Sequence, residues 1–236
     1  MMVLVKLHSF TQDNQMNKKA LALAVLGTSS LIIATPALAQ FELQGGWTRV
    51  APQDVTSDSL NLDGANLPSS VDDISADQSY FIGLGYHFSP SLSVVASYTT
   101  GLEHDVKEKG LGLGNVGSFD LDVLTLVGQY TFNTEGSLQP YLQAGAIHAR
   151  IDGEKPSAGF VSNVGPASLS IDNATGWLAG AGLRYKLADN FNVFGEINYS
   201  GLETDAEYNV AGVSRLSADS VEVDPIVYRM GLGFRF

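Results

Sequence analysis

From residue 41 onward, large apolar side chains alternate with small or polar ones at a period of two, the spacing at which successive side chains leave opposite faces of a strand. Tyr80, Ile82, Leu84, Tyr86 and Phe88 form one row, while Ser79, Phe81, Gly83, Gly85 and His87 form the other. Trp177, Ala179, Ala181, Leu183, Tyr185 and Leu187 stand in the same way against Gly176, Leu178, Gly180, Gly182, Arg184 and Lys186. Ile226, Tyr228, Met230, Leu232, Phe234 and Phe236 repeat it against Val227, Arg229, Gly231, Gly233 and Arg235. Further rows start at Phe41, Leu92, Leu124 and Phe191. The segment Gln139 to Arg150 is the least decided, because Leu142, Ala144 and Ala146 compete with Tyr141, Gly145 and Ile147 for the apolar face. Helical periodicity is not evident anywhere along this stretch.

The pattern predicts eight strands of about ten residues, the length that crosses a bilayer when tilted. Short turns fall at Ser89 and Pro90, at Asn133 to Ser137 and at Ala188 to Asn190. Long polar connections fall between them, at Ala51 to Gln78, Gly101 to Asp120, Ile151 to Ala174 and Gly201 to Glu222. The expected fold is all-β: an eight-stranded antiparallel transmembrane β-barrel with long extracellular loops and short periplasmic turns.

A soluble barrel would turn the apolar row inward, and volume argues against it. An eight-stranded interior is just wide enough to be filled by side chains, yet the apolar rows hold most of the Trp, Tyr and Phe. The opposite rows hold Gly83, Gly85, Gly180, Gly182, Gly231 and Gly233, which suit a narrow inside. They also hold Glu42, Arg184, Lys186, Glu196, Arg229 and Arg235. An Arg or Lys facing mid-bilayer lipid costs about 2–4 kcal/mol, whereas charges inside can pair.

The chain has 236 residues, 13 basic and 25 acidic, for a net charge of -12, which makes nucleic acid a poor partner. It has no cysteine, so disulfides, thiolate metal sites and cysteine nucleophiles are excluded. Lys18 and Lys19 precede an apolar stretch from Ala20 to Ile33, and Ala37, Leu38 and Ala39 give the small-x-small pattern of a signal-peptidase site. Residues 1–39 therefore read as a signal peptide, the part before Met16 as an upstream start, and residues 40–236 as the barrel. A membrane anchor is the alternative; Gly27, Thr28, Ser29 and Ser30 interrupt the stretch and it is short for a span. Without residues 1–39 the chain has 197 residues, 10 basic and 24 acidic, a net charge of -14.

Four stretches, Gly46 to Pro52, Pro140 to Gly145, Ala179 to Tyr185, and Val223-Asp224-Pro225-Ile226 running to Gly233-Phe234-Arg235-Phe236, resemble the outer membrane protein W (OmpW) family of small barrels. With loop order, the likeness spans nearly all of residues 40–236. The Asp-Pro before the last strand and the terminal Arg-Phe are its most specific parts. One departure is Leu121-Asp122-Val123, where many members carry Leu-Pro-Pro entering the fourth strand. The family includes alkane-uptake relatives. The resemblance implies a Gram-negative outer-membrane location, passage of small hydrophobic molecules, and Phe236 as the assembly signal read by the barrel assembly machinery. Outer-membrane lipids and lipopolysaccharide are the implied surroundings, and no cofactor is implied.

With the amino terminus in the periplasm, odd strands run outward and each inward residue acquires a height. Val50, Phe81, Val123, Ile147, Leu178 and Val227 then fall in the outer half of the lumen, and Glu42, Arg184, Lys186, Glu196 and Arg235 lower. The expectation is a hydrophobic vestibule above a charged plug that also includes Arg229, with solute leaving sideways into lipid. The plainer reading is that the six apolar residues simply pack the upper barrel. A second functional class stays open, a structural or surface-interaction barrel that stabilises the membrane or receives phages or toxins.

Other chemistries find little support. His87, His104 and His148 are scattered, one inward, one in a loop and one near a strand end, with no second ligand at metal spacing. His104 beside Glu103 and Asp105, with Ser97 and Thr99 nearby, is the sole catalytic candidate, and a solvated charge run is commoner; no enzyme activity is expected. Gly112 to Gly117 matches a dinucleotide pattern but falls in an outer loop, and Asn173-Ala174-Thr175 is a glycosylation triplet without weight in a bacterium. Asp54, Asp58, Asp63, Asp72, Asp73 and Asp77 crowd the first loop, either bridged by divalent cations to lipopolysaccharide or forming a solvated acidic rim. Leu60, Leu62 and Leu67 there either fold over the vestibule or contact lipid.

Overall fold

A computed structural model describes residues 40–56, 61–62, 65–66, 70–109, 114–210 and 214–236, with side chains at all but 54–56, 61–62, 65–66, 70–73, 108–109, 163–164, 208, 210 and 214–220. The expected signal peptide lies outside the described residues. So do Asp58, Leu60, Asp63, Leu67 and Gly112, and the side chains of Asp54, Leu62, Asp72 and Asp73.

Eight long strands form one antiparallel ring: β1 (Phe41–Thr56), β5 (Asp77–His87), β6 (Leu92–Lys109), β7 (Gly114–Thr131), β8 (Leu138–Pro156), β10 (Ala174–Ala188), β11 (Phe191–Val210) and β12 (Ser214–Arg235). Neighbours pair in chain order, and β12 returns to β1 with Glu42 opposite Arg235 and Thr48 opposite Arg229. Closure leaves no sheet edge, the condition lipid imposes on a strand protein. Phe41 and Phe236 exchange backbone hydrogen bonds, so both ends of the ring meet at the same rim as the three short turns.

The rows face as volume requires. Tyr80 is 77% exposed, Ile82 58% and Met230 58%, all on the outside, while the opposite row is buried. An apolar surface of this extent around a whole ring is the lipid-facing band of a membrane barrel. Phe41, Tyr86, Phe88, Tyr130, Phe132, Phe234 and Phe236 girdle the short-turn end, with Phe41–Tyr86 and Tyr130–Phe132 packed edge to face. Trp177 and Tyr199 pack together nearer the other end, where such rings match the interfaces. The undecided segment resolves with Tyr141, Gln143 and Ile147 inward and Leu142 outward.

The strands are longer than the alternation suggests, 16 to 22 residues in six of the eight, and extend into all four long connections. Register shifts mark the boundaries, between Pro52 and Val55, Thr99 and Leu102, Ser118 and Asp120, and Thr204 and Ala206. Gly101, with φ 73°, sits in the second of these, and beyond it Leu102, His104 and Val106 face inside. The connections also hold β2 (Asn61–Leu62), β3 (Ala65–Asn66), β4 (Ser70–Ile74) and β9 (Ala167–Ile171). Contrary to the absence of helical periodicity, a seven-residue helix, α1 (Ala158–Val164), lies in the third connection. Its Ser157 cap accepts a hydrogen bond from the Phe160 amide at 3.0 Å, and a helix this short leaves no room for a repeat to show. Gly114 and Gly117 of the glycine-rich stretch belong to β7, not to a strand-to-helix turn.

Candidate functional site

The inward side chains divide the lumen into two zones. Toward the short-turn end, polar groups fill it. Glu42, fully buried, accepts from Gln44 at 3.0 Å, Arg235 at 3.2 Å and Asn192 at 3.4 Å, contacts His87 at 2.9 Å, and lies 3.8 Å from Arg184. Above it, Glu196 accepts from the Tyr141 hydroxyl at 2.7 Å and Asn198 at 3.1 Å, with Arg229 at 3.8 Å. Gln129 donates to Gln143 at 2.7 Å and Gln143 to Asn198 at 2.6 Å, tying the two carboxylate clusters across the barrel. Arg184 reaches Gln129 at 3.3 Å and stacks over the Tyr141 ring at 5.2 Å. Tyr141 turns inward because its hydroxyl finds Glu196 and because Gly182 leaves space for its ring: a Cβ there would stand 2.2 Å from Tyr141 Cζ.

Five of the six charged residues expected low in the lumen share this network. Lys186 does not: its ammonium donates to the Thr134 carbonyl at 2.8 Å, at the turn between β7 and β8. Its long stem carries the charge to the rim, where water solvates it.

Toward the long-connection end lies a cavity with about 1530 Å³ of space free of protein atoms, counting its side open to solvent. Val50, Val123, Ile147, Leu178 and Val227 line it. Phe81 does not. Its ring lies beneath, 6.1 Å from the Phe194 ring and under the Arg229 guanidinium at 5.2 Å, so it belongs to the partition between the zones. Above the sequence-derived five, the wall continues through Val106, Phe119, Ile151 and Val221. Phe160, 2% exposed, reaches it from α1, and Ile74 and Leu169 from β4 and β9. These residues escape a reading that treats the connections as polar loops, although runs such as Val116 to Leu121 carry an apolar signal once strand pairing extends that far.

His104 sits on β6 in this wall, 1% exposed, not in a loop. Its Nδ1 lies 2.6 Å from the Ser75 carbonyl and its ring 5.5 Å from Phe119. Burial holds its pKa below the ordinary histidine value, against the opposing pull of the Ser75 carbonyl, Asp77 and Asp105. Ser97 and Thr99 do not join it: Ser97 bonds Thr125 at 2.6 Å and receives Arg229 at 2.9 Å, lower in the barrel. His87 is spent on Glu42, and His148 bonds Thr175 at 2.8 Å on the outer face.

A family model described as OmpW family matches residues 38–236. The chain is 26% identical over 167 residues to outer membrane protein W of Salmonella typhimurium, covering 70% of this chain and 76% of that protein. Among solved structures it is similar to OprG of Pseudomonas aeruginosa, with a TM-score of 0.76, 25% identity, and coverage of 84% of this chain and 96% of that one. AlkL, solved by solid-state NMR in lipid bilayers, shares the fold at a TM-score of 0.60 and 21% identity, covering 89% and 96% of the two chains.

Proposed function

The chain belongs to the OmpW family of outer-membrane barrels, and from that premise we propose that it takes up small hydrophobic molecules passively, through the cavity in its outer half. The carrying observation is the contrast between the two zones. An almost wholly apolar cavity opens at the outer end, and a filled, hydrogen-bonded polar layer lies below it. Apolar surface buried there contributes about 25 cal/mol per Å² to binding. The polar layer offers such a solute nothing, because displacing its ion pairs leaves charges unpaired in a low dielectric.

Exit is therefore sideways, into lipid. Pro52 on β1 stands opposite Pro225 on β12, both line the cavity, and the register of this seam breaks just above them. Proline has no amide hydrogen, so neither residue donates across the strands. Leu121, Asp122 and Val123, by contrast, pair without interruption with Ile151, Arg150 and Ala149 on β8, which supports β1–β12 as the weaker seam. Ala51 and Ile226 are directly paired beside the prolines. A disulfide between Ala51→Cys and Ile226→Cys should leave dye binding unchanged while slowing release into lipid at least tenfold, restored by reductant. Equal release rates in both redox states refute this exit.

The uptake reading itself is tested at Leu178, 5% exposed in the cavity wall. Leu178→Asp places a carboxylate where the solute's apolar surface packs. Uptake of a hydrophobic dye by proteoliposomes should fall to the level of protein-free liposomes, with heat-modifiable gel mobility preserved. Wild-type protein that raises no flux above protein-free liposomes points instead to a structural barrel.

A further inference from the structure

Two threonine hydroxyls set into the cavity have no hydrogen-bond partner in the protein: Thr48, 0% exposed, and Thr99, 1% exposed. A buried hydroxyl without a partner is uncommon, because it forgoes the bonds it makes in water. The other polar groups at this level among the described residues are matched. Ser97 bonds Thr125, Ser200 donates to the Pro225 carbonyl, and both ends of the Asn198 amide are engaged. The two threonines share a place. Thr48 stands opposite Ser79 and Thr99 opposite Phe81, so they straddle β5. Beneath them runs Arg229, which leaves β12 directly opposite Thr48, crosses the Phe81 ring and donates to Ser97, the inward residue just below Thr99 on β6. The Nε of Arg229 is also without a partner.

Charge tells which head group belongs there. In the membrane-spanning lumen the described residues place three guanidinium groups, Arg184, Arg229 and Arg235, against two carboxylates, Glu42 and Glu196. Glu42 takes Arg235 and Arg184 in addition to His87, and Glu196 stands 3.8 Å from Arg229, the outer limit of an ion pair. The three guanidiniums exceed the two carboxylates by one positive charge, and Arg229, whose single carboxylate stands 3.8 Å away, is the one of the three that borders the cavity.

We propose that the cavity floor is a seat for a carboxylate, so that the cavity prefers a monocarboxylate amphiphile whose apolar body lies against the wall above. The inference rests on the cavity being the uptake site and names its ligand class. The head group accepts from the hydroxyls of Thr48 and Thr99 and takes the charge of Arg229, charge-assisted bonds that are stronger than neutral ones. His104, whose Nε2 is likewise unpartnered, is not part of the seat. It stands five residues beyond Thr99 on the same strand, a separation of roughly 16 Å.

The test uses the full barrel in nanodiscs of zwitterionic lipid, with decanoate carrying ¹³C at its carboxyl as the probe and methyl decanoate as competitor. A saturable, protein-dependent shift of the carboxyl resonance is expected at neutral pH, and methyl decanoate should displace it with at least tenfold lower affinity. Thr48→Val with Thr99→Val keeps side-chain shape and removes only unpartnered hydroxyls, so the folded band on gels should persist. Decanoate affinity should drop about tenfold, as loss of bonds to a charged group dictates, with methyl decanoate within twofold of wild type. Equal affinity of the two probes for the wild type, or an unchanged decanoate affinity in the double variant, overturns the seat and leaves the cavity standing. If neither probe binds, the cavity reading falls and the seat with it.

Discussion

Glu42→Ala is expected to destabilise the folded barrel by about 3–5 kcal/mol, the range for removing one partner of a buried charge cluster. The effect comes less from the bonds lost than from the groups stranded. Arg235, 25% exposed at the rim, recovers water when its acceptor disappears. Arg184, 2% exposed, cannot, and is left with Gln129 and the Tyr141 ring as its remaining contacts. Glu42→Gln keeps the size and one acceptor but not the charge, so it should fall between alanine and wild type. Asp152→Ala is the comparison that separates burial from distance. Arg150 and Asp152 approach to 2.7 Å, closer than any guanidinium approaches Glu42, yet are 62% and 55% exposed. Such exposed pairs contribute at most about 1 kcal/mol. Urea titration in lipid vesicles, with folded and unfolded bands separated by gel mobility, orders the three variants. A Glu42→Ala midpoint no lower than that of Asp152→Ala would remove the plug from the account of stability.

The same contrast shows what was legible in the sequence and what was not. Orientation was legible, because Trp, Tyr and Phe on one row and Gly on the other leave only one way to fill a narrow ring. The inward placement of Val50, Val123, Ile147, Leu178 and Val227 follows from counting along strands, as does that of Glu42 and Arg184. Counting fails where a register shift changes a strand's phase. Past Thr99 the phase of β6 reverses at Gly101, so Leu102 and His104 turn inward although simple alternation from Ser97 and Thr99 puts them outside. On β11 the phase holds, with Ser200, Leu202, Thr204 and Ala206 all in the cavity wall, but strand pairing continues into what the alternation leaves as a connection, which is why the cavity is deeper than the alternation suggests. Phe81 and Lys186 sit on the inward row as counted, but period two fixes only the face. Edge-to-face packing on Phe194 took one below the cavity, and a flexible stem took the other to the rim. The bonding of Gln44, Gln129, Gln143 and Asn192 is a cross-barrel property, set by which strands face each other across the lumen, and no local spacing encodes it.

Adjacent glycines should give opposite results on receiving one methyl group. Gly46→Ala is expected to abolish folding into lipid, and Gly45→Ala to leave the barrel within about 0.5 kcal/mol of wild type, the usual range for a surface change. A Cβ on Gly46 would stand 2.1 Å from the Met230 carbonyl oxygen and 2.5 Å from the Gly231 Cα, both main-chain atoms of β12. No rotamer relieves such a contact; the two strands must separate. They are the first and last of the ring, with Gly46 directly opposite Gly231, so separation opens the barrel at its only closing seam. In water an opened seam would be solvated, but in hydrocarbon each amide or carbonyl left unpaired costs several kcal/mol, and a few of them exceed the stability of a domain. A Cβ on Gly45 meets only the Phe81 carbonyl oxygen at 3.6 Å, an ordinary van der Waals distance, on the row that faces lipid. The readout is the fraction of each variant that migrates as the folded band after refolding into vesicles. A folded Gly46→Ala barrel with a wild-type melting point would show that β1 and β12 are farther apart than described, and with them the proline pair that marks the proposed exit.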